Sequence, residues 1–219
     1  FSGGIDMVIG FSKIFDIDLP ENFDTPYFSK SVKEFWRRWH MTLSNWLKDY
    51  VYISLGGNRV SKWRVKFNVL LTFLASGFWH GAHYLVWGLV HGLLVIFSKP
   101  LKHKWLTIFI TFCLVSLTWI FYVYPNTMVA FKKFGSIFTN GFTIDFMNLG
   151  LDMGNYLVLL LSVLLLWIYD VKQKRIYTLF EKCSLESKIF ILGMLGICVL
   201  LLGIYGIGFE VNDFIYSKF

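Results

Sequence analysis

The sequence has few of the residues that hold metals, make disulfides or run soluble-enzyme chemistry. Only three cysteines occur in 219 residues, and no two share a metal or redox spacing. Cys113 and Cys198 lie inside apolar runs and Cys183 lies in a basic loop, so all three read as small packing or lipid-facing residues. No Asp or Glu occurs between residues 50 and 144, which leaves a metal in that stretch without carboxylate ligands. No Walker, Rossmann or Gly-x-Ser-x-Gly pattern is present, so nucleotide hydrolysis and the serine-hydrolase elbow lack support. Residues 1–16 are not expected to be a signal peptide, and no internal repeat or low-complexity segment is found. The chain starts at Phe1 rather than Met, and residues 1–16 open inside an apolar stretch. They read as a partial span of a longer protein, with at least one spanning segment upstream.

What the chain does have is apolar length. It is 56% hydrophobic with a mean hydropathy of +0.56, against roughly 45–50% apolar for soluble domains. Residues 105–124, 153–169 and 189–209 are free of charge. About 20 apolar residues span the hydrocarbon core, and in lipid such a run must be helical to satisfy its own backbone. The expected fold is an all-α polytopic membrane protein forming a single membrane domain over 1–219.

The net charge is +7. In a soluble protein this would suggest nucleic acid. Here the charge sits between apolar runs, where topology and anionic lipids account for it, so no nucleic-acid partner is expected. Most Lys and Arg fall within residues 30–66, 99–104 and 172–188. Basic loops stay cytoplasmic. The three spans then run out, back and out, leaving the C-terminus outside.

Residues 67–98 do not fit a simple crossing. They are too many for one span, yet basic on both flanks. Gly77, His80, Gly81 and His83 interrupt them near the middle. Apolar runs of about 10–14 residues are more often re-entrant or interfacial than spanning. The segment reads as a re-entrant helical hairpin dipping in from the cytoplasmic side. Such backbone needs a cover of protein or water, so the hairpin implies a cavity. Before it, residues 31–49 place Phe35, Trp36, Trp39, Leu43, Trp46 and Leu47 on one helical face, with Arg37, Arg38, Asn45 and Lys48 on the other. That pattern is an amphipathic interfacial helix, opened by a Ser31/Glu34 capping box. An extended stretch over 50–55 and a turn at Gly56-Gly57-Asn58 are expected next.

Ionisable residues at membrane depth are functional candidates. His91 is the strongest. It is the one ionisable group in residues 85–97 and lies roughly 10 Å in from Ser98 at 1.5 Å per residue. A buried neutral imidazole can take a proton from a hydroxyl and return it. The plainer alternative is a helix–helix hydrogen bond between the close-packing glycines Gly88 and Gly92. His80 and His83 are three apart, but zinc needs three or four protein ligands. His91 is about 16 Å from His80 along a continuous helix; a break at Gly81 weakens that objection, but no Asp or Glu between 50 and 144 completes a ligand set, so no metal is expected. His40 is either a site residue or part of an interfacial aromatic cluster. Asp6 lines a cavity or pairs with a base. Arg59, Lys62, Arg64 and Lys66 surround the glycine turn and either hold a phosphate-bearing donor at the cytoplasmic mouth or contact headgroups.

The run Glu34-Phe-Trp-Arg-Arg-Trp-His40, then Leu43-Ser-x-Trp-Leu-x-Asp-Tyr50, Leu55-Gly-Gly-Asn-Arg59, Phe78-Trp-His-Gly81 and Trp87-Gly-x-x-His-Gly92 resembles the membrane-bound O-acyltransferase family. The pattern is most similar to its bacterial branch that acetylates alginate and other envelope polysaccharides. The opening Phe1-Ser-Gly and the closing Phe214-Ile-Tyr216 resemble that branch too. The resemblance implies a catalytic His91 deep in a tunnel, a second histidine at the end of the tryptophan-rich helix at His40, and the Trp-His-Gly histidine at His80; Asp6 and Asn45 stand beside them as secondary candidates from the sequence itself. It implies no bound cofactor and an acyl thioester of the acetyl-CoA type as donor substrate. It also implies a hydroxyl acceptor on an extracytoplasmic polysaccharide, or a relay acyltransferase outside a bacterial plasma membrane. The related D-alanyl transferases of teichoic acid synthesis have similar histidines but lack the Leu-Gly-Gly-Asn-Arg turn. Two other readings remain open: a polysaccharide or lipid transporter using the same cavity, and an envelope scaffold with structural histidines.

Overall fold

A computed structural model describes residues 1–124, 126–139 and 153–202, and these are helical almost throughout. The chain divides into two units, residues 1–142 and 143–219.

The first unit begins with α1 (Ser2–Ile14), which buries none of its residues. A single turn at Pro26–Phe28 leads to α2 (Val32–Arg38). The Ser31 hydroxyl accepts the Glu34 N–H at 3.1 Å, and the Glu34 carboxylate accepts from the Lys30 N–H at 2.8 Å. This is a capping box with its return bond displaced by one residue.

The interfacial helix expected over 31–49 is not continuous. It breaks at Trp39–His40, and α3 runs over Met41–Leu47. His40 takes a left-handed conformation, φ 48°. The cause lies upstream. Phe23 pairs with Trp39 in an isolated antiparallel bridge, with Asp24 N–H donating to Arg38 O and Met41 N–H to Asn22 O. The Asn22 side chain then caps α3, its Oδ1 accepting from the Thr42 N–H at 3.1 Å and the Thr42 hydroxyl at 2.9 Å. The expected extended stretch over 50–55 is also absent. Lys48–Tyr52 forms a π-helical turn that prolongs α3. Val51, Tyr52 and Ile53 favour a strand only where a neighbouring strand can pair, and none of the described residues supplies one. The turn at Gly56-Gly57 is present, with φ of 96° and 55°. Asn68, fully buried, donates to Leu55 O and Gly57 O and fastens that turn to the next helix.

Residues 67–98 fall within two packed helices joined by a short turn. These are α4 (Lys62–Trp79), a turn at Ala82–Tyr84 and α5 (Leu85–Phe97). Gly81 sits at φ 125°, a conformation that disfavours a side chain. Glycines let the two backbones touch. A methyl at Gly88 would collide with the Phe73 carbonyl oxygen, and one at Gly77 would lie 2.6 Å from the Tyr84 oxygen. These are the close-packing glycines of a membrane-type helix pair.

Helices α6 (Lys104–Thr118) and α7 (Ile120–Val123) follow, then α8 (Thr127–Thr139). The buried face of α6 carries Thr107, Ile108, Thr111, Val115 and Thr118. One core cluster joins Val32, Phe35 and Val115, and another joins Trp87, Phe121 and Ala130.

The second unit holds α9 (Met153–Glu181) and α10 (Leu185–Leu202). The basic cluster expected as a loop over 172–188 is mostly helix, because α9 continues through it to Glu181. Among the described residues three helical stretches are long and apolar enough to cross a membrane: Lys104–Val123, Met153–Gln173 and Leu185–Leu202. They match the expected spans at 105–124, 153–169 and the first part of 189–209. The rest of that span and the C-terminal tail lie outside the described residues. The architecture is that of an all-α membrane protein.

Candidate active site

His91 is fully buried in the centre of the first unit. Both ring nitrogens are engaged. The Trp36 indole N–H from α2 donates to Nδ1 at 3.3 Å. Nε2 lies 3.1 Å from the Thr118 hydroxyl on α6. An indole nitrogen can only donate, so Nδ1 carries the lone pair and Nε2 the proton. Thr118 accepts from Nε2–H and passes its own proton towards the Val115 and Leu114 carbonyls, at 2.9 and 3.0 Å. The ring is thus held in one tautomer by groups from two other helices.

Three indoles surround the imidazole. The Trp36 and Trp87 rings lie 5.1 Å from it and Trp119 lies at 5.9 Å. Trp119 is itself placed by its N–H bond to the Tyr27 hydroxyl at 3.2 Å. Burial pushes the Tyr27 pKa up, partly offset by that bond, so the phenol stays neutral. The helix–helix hydrogen bond that competes with catalysis as a reading of His91 is therefore present. What favours chemistry is the space beside it.

A cavity of about 540 Å3 lies between α2, α3, α4 and α5, within the usual range for small-molecule sites. Its wall includes Trp36, Phe73 and Ser76 towards the interior. Lys33, Arg37, Lys48 and Lys66 also line it, and no carboxylate does. Trp36 belongs both to this wall and to the His91 contact, so one indole separates the cavity from the imidazole.

Of the other expected site residues, Asn45 and Lys66 share the cavity and the rest lie outside its lining. His80 ends α4 and packs edge-on against Trp87 at 5.8 Å, on a ring that also touches His91. His40 contacts Asn22 Oδ1 at 3.3 Å and the Phe1 ring at 5.0 Å. It lies close enough to His80 for the two to repel when charged. Burial first, and that repulsion second, push the His40 pKa down to about 4, against a raising contribution from its backbone hydrogen bond. The unfolded chain therefore binds a proton on this ring near pH 6.5 and the fold does not. Stability contributed by His40 is intact above about pH 6.5 and falls as pH drops towards 4. Thermal unfolding of wild type and His40→Asn across that window checks this. The wild-type midpoint should fall more steeply, and parallel curves would contradict it. Asn keeps the left-handed backbone accessible.

Asp6 is exposed on α1, and Asn45 is an exposed residue whose Oδ1 accepts from Lys48 at 3.1 Å. Asn45 lines the cavity. Arg59, Lys62 and Arg64 are exposed and lie outside the cavity lining, whereas Asn58 and Lys66 belong to it. Among the described residues no cluster of three metal-ligating side chains occurs.

Residues 1–104 match the family model of the membrane-bound O-acyltransferases. The chain belongs to this family. The matched segment holds Trp36, His40, His80 and His91, while Thr118 lies beyond it. Among relatives of this acyltransferase-family chain, a peptidoglycan O-acetyltransferase of Helicobacter pylori is 42% identical over 157 residues, 66% of this chain and 30% of the relative. A probable alginate O-acetylase of Pseudomonas aeruginosa is 39% identical over 190 residues, 79% of this chain and 35% of the relative. A teichoic acid D-alanyltransferase of Bacillus subtilis is 38% identical over 120 residues, 48% of this chain and 30% of the relative. The chain spans about a third of the length of the curated relatives it matches.

Two functional candidates of this family member were not visible in its sequence. In the sequence Trp36 stands out only as an apolar-face residue of the tryptophan-rich motif, and Thr118 only as part of a span. Thr107, Thr111 and Thr118 at spacings of four and seven mark one face of α6, a signal that could have picked out the buried side.

Proposed function

We propose that this chain carries the catalytic region of an O-acyltransferase in a bacterial plasma membrane, moving an acyl group, foremost acetyl, from a cytoplasmic thioester to a hydroxyl. The acceptor is an extracytoplasmic polysaccharide or peptidoglycan, or a relay acyltransferase outside the membrane. The observation that carries this reading is the placement of fully buried His91 behind one wall of an apolar cavity with a cationic rim.

A thioester is already activated, so the protein has only to orient the pair and take the hydroxyl proton. The four cations suit a donor bearing phosphates. The carbonyl carbon gains the acceptor oxygen and loses the thiolate. The proton goes from the hydroxyl to the imidazole and on to the departing sulfur. In this reading the hairpin α4–α5 is re-entrant, and basic segments keep the cavity mouth cytoplasmic.

D-alanyl transfer is the second reading, because it needs the same base and an activated acyl group. Relatives named for acetylation align over more of the chain than the D-alanyltransferase of Bacillus subtilis, which favours acetyl. The test is transfer of labelled acetyl from a thioester by the intact protein in sealed vesicles with a glycan acceptor. Label should accumulate as hydroxyl ester. Glycan crossing the vesicle without ester formation would instead support the transporter.

A further inference from the structure

We propose that Trp36 is a shutter over the base of His91. The Nδ1 lone pair is capped by the Trp36 N–H at 3.3 Å, while Nε2–H is engaged by Thr118 at 3.1 Å. In this arrangement His91 has no nitrogen available to accept a proton. The indole that caps it also lines the cavity, so its displacement from the cavity side exposes Nδ1 and nothing else on the ring. Thr118 cannot serve as the release. It sits on the far nitrogen and is tied to its own helix carbonyls. Nδ1 is therefore the reacting nitrogen, and Trp36 is a positioning residue that acts through His91.

The shutter rests on the acyl-transfer reading for its purpose. A thioester held beside a bare base would hydrolyse. Water would add its oxygen to the carbonyl carbon and give a proton to Nδ1. The carbon–sulfur bond would break, and the proton would pass to the thiolate, leaving free acid and thiol. Capping Nδ1 until the acyl end of the donor pushes the indole aside confines that chemistry to the loaded and aligned complex. Trp36 is well placed to yield. It is only partly buried, and it meets Phe73, Trp87 and His91 through edge contacts rather than stacks.

The test uses the intact protein in lipid nanodiscs with Trp36→Phe, which keeps an aromatic ring and removes the N–H. Trp36→Met serves if that variant does not accumulate. The first readout is ethoxycarbonylation of His91 by diethyl pyrocarbonate, followed by peptide mass. This reagent needs an unprotonated, accessible imidazole nitrogen and needs no donor or acceptor. The rate at His91 should rise about five- to tenfold, the shift in an equilibrium from one net hydrogen bond. The second readout is thioester hydrolysis without acceptor. It should rise relative to transfer, and Trp36→Phe combined with His91→Gln should return it to background. A merely structural contact would lower hydrolysis and transfer together and leave their ratio unchanged, which would overturn the proposal. So would an unchanged ethoxycarbonylation rate in a folded variant. If the wild type transfers no acyl group but Trp36→Phe still opens His91, the acyl-transfer reading fails and the shutter stands.

Discussion

His91→Gln in the intact protein is expected to lose acyl transfer by about 10²–10⁴-fold, the usual contribution of a positioned general base. Gln fills a similar volume and can still bond Thr118 or Trp36, but it cannot hold the acceptor's proton. The cavity proposed for the donor lies on the other side of Trp36, so the KM for the thioester should change little, and the loss should fall on kcat. His40→Asn should cost less. His40 sits at the cap between α2 and α3, bonded to Asn22, and makes no contact with His91. A loss at His40 equal to that at His91 would mean that both imidazoles act on the reacting atoms.

The second large effect is on donor binding. Arg37→Glu together with Lys48→Glu should raise the donor's dissociation constant by about ten- to a hundredfold. A charge-assisted hydrogen bond contributes about 1.5–3 kcal/mol. Both side chains are exposed at the rim, so solvent screening takes part of this away. Ionic strength gives the signature. The difference between wild type and variant should shrink as salt rises and the Debye length falls below about 10 Å. The charge-neutral pair Arg37→Gln/Lys48→Gln should lie between them. The same reversal at Arg59 and Arg64, which are exposed and outside the cavity lining, should leave donor affinity nearly unchanged. Equal effects at both places would mean that the donor is held by general surface charge and not by this cavity.

The spans were legible because a helix in lipid must be long, apolar and self-bonded, and those demands leave an unbroken run in the sequence. The interruption near Gly77 and Gly81 was legible because Gly81 turns the backbone at φ 125° and Gly77 lets α4 approach Tyr84 closely. His91 stood out as the one ionisable group in its helix. Its partners did not. Trp36 lies 55 residues away and Thr118 lies 27 away, and nothing local in either stretch announces a bond to an imidazole. The break at His40 was hidden for the same reason. Its cap is Asn22, some twenty residues upstream, while residues 31–49 by themselves have uninterrupted helical periodicity. Of the four basic residues around the glycine turn, only Lys66 lines the cavity. Ser61 caps α4 so that the helix starts at Lys62, and its first turn then presents Lys62 and Arg64 to the outside, while Lys66 reaches the cavity.

The most direct measurement is a single turnover. Labelled acyl thioester is bound to wild type and to His91→Gln in nanodiscs, acceptor is mixed in, and label in the hydroxyl ester is followed against label still on the thioester. The wild type should move its label to the acceptor, and the variant should bind as much donor and leave it on the thioester. Transfer by His91→Gln within a few-fold of the wild-type rate would contradict the assignment of His91 as the base.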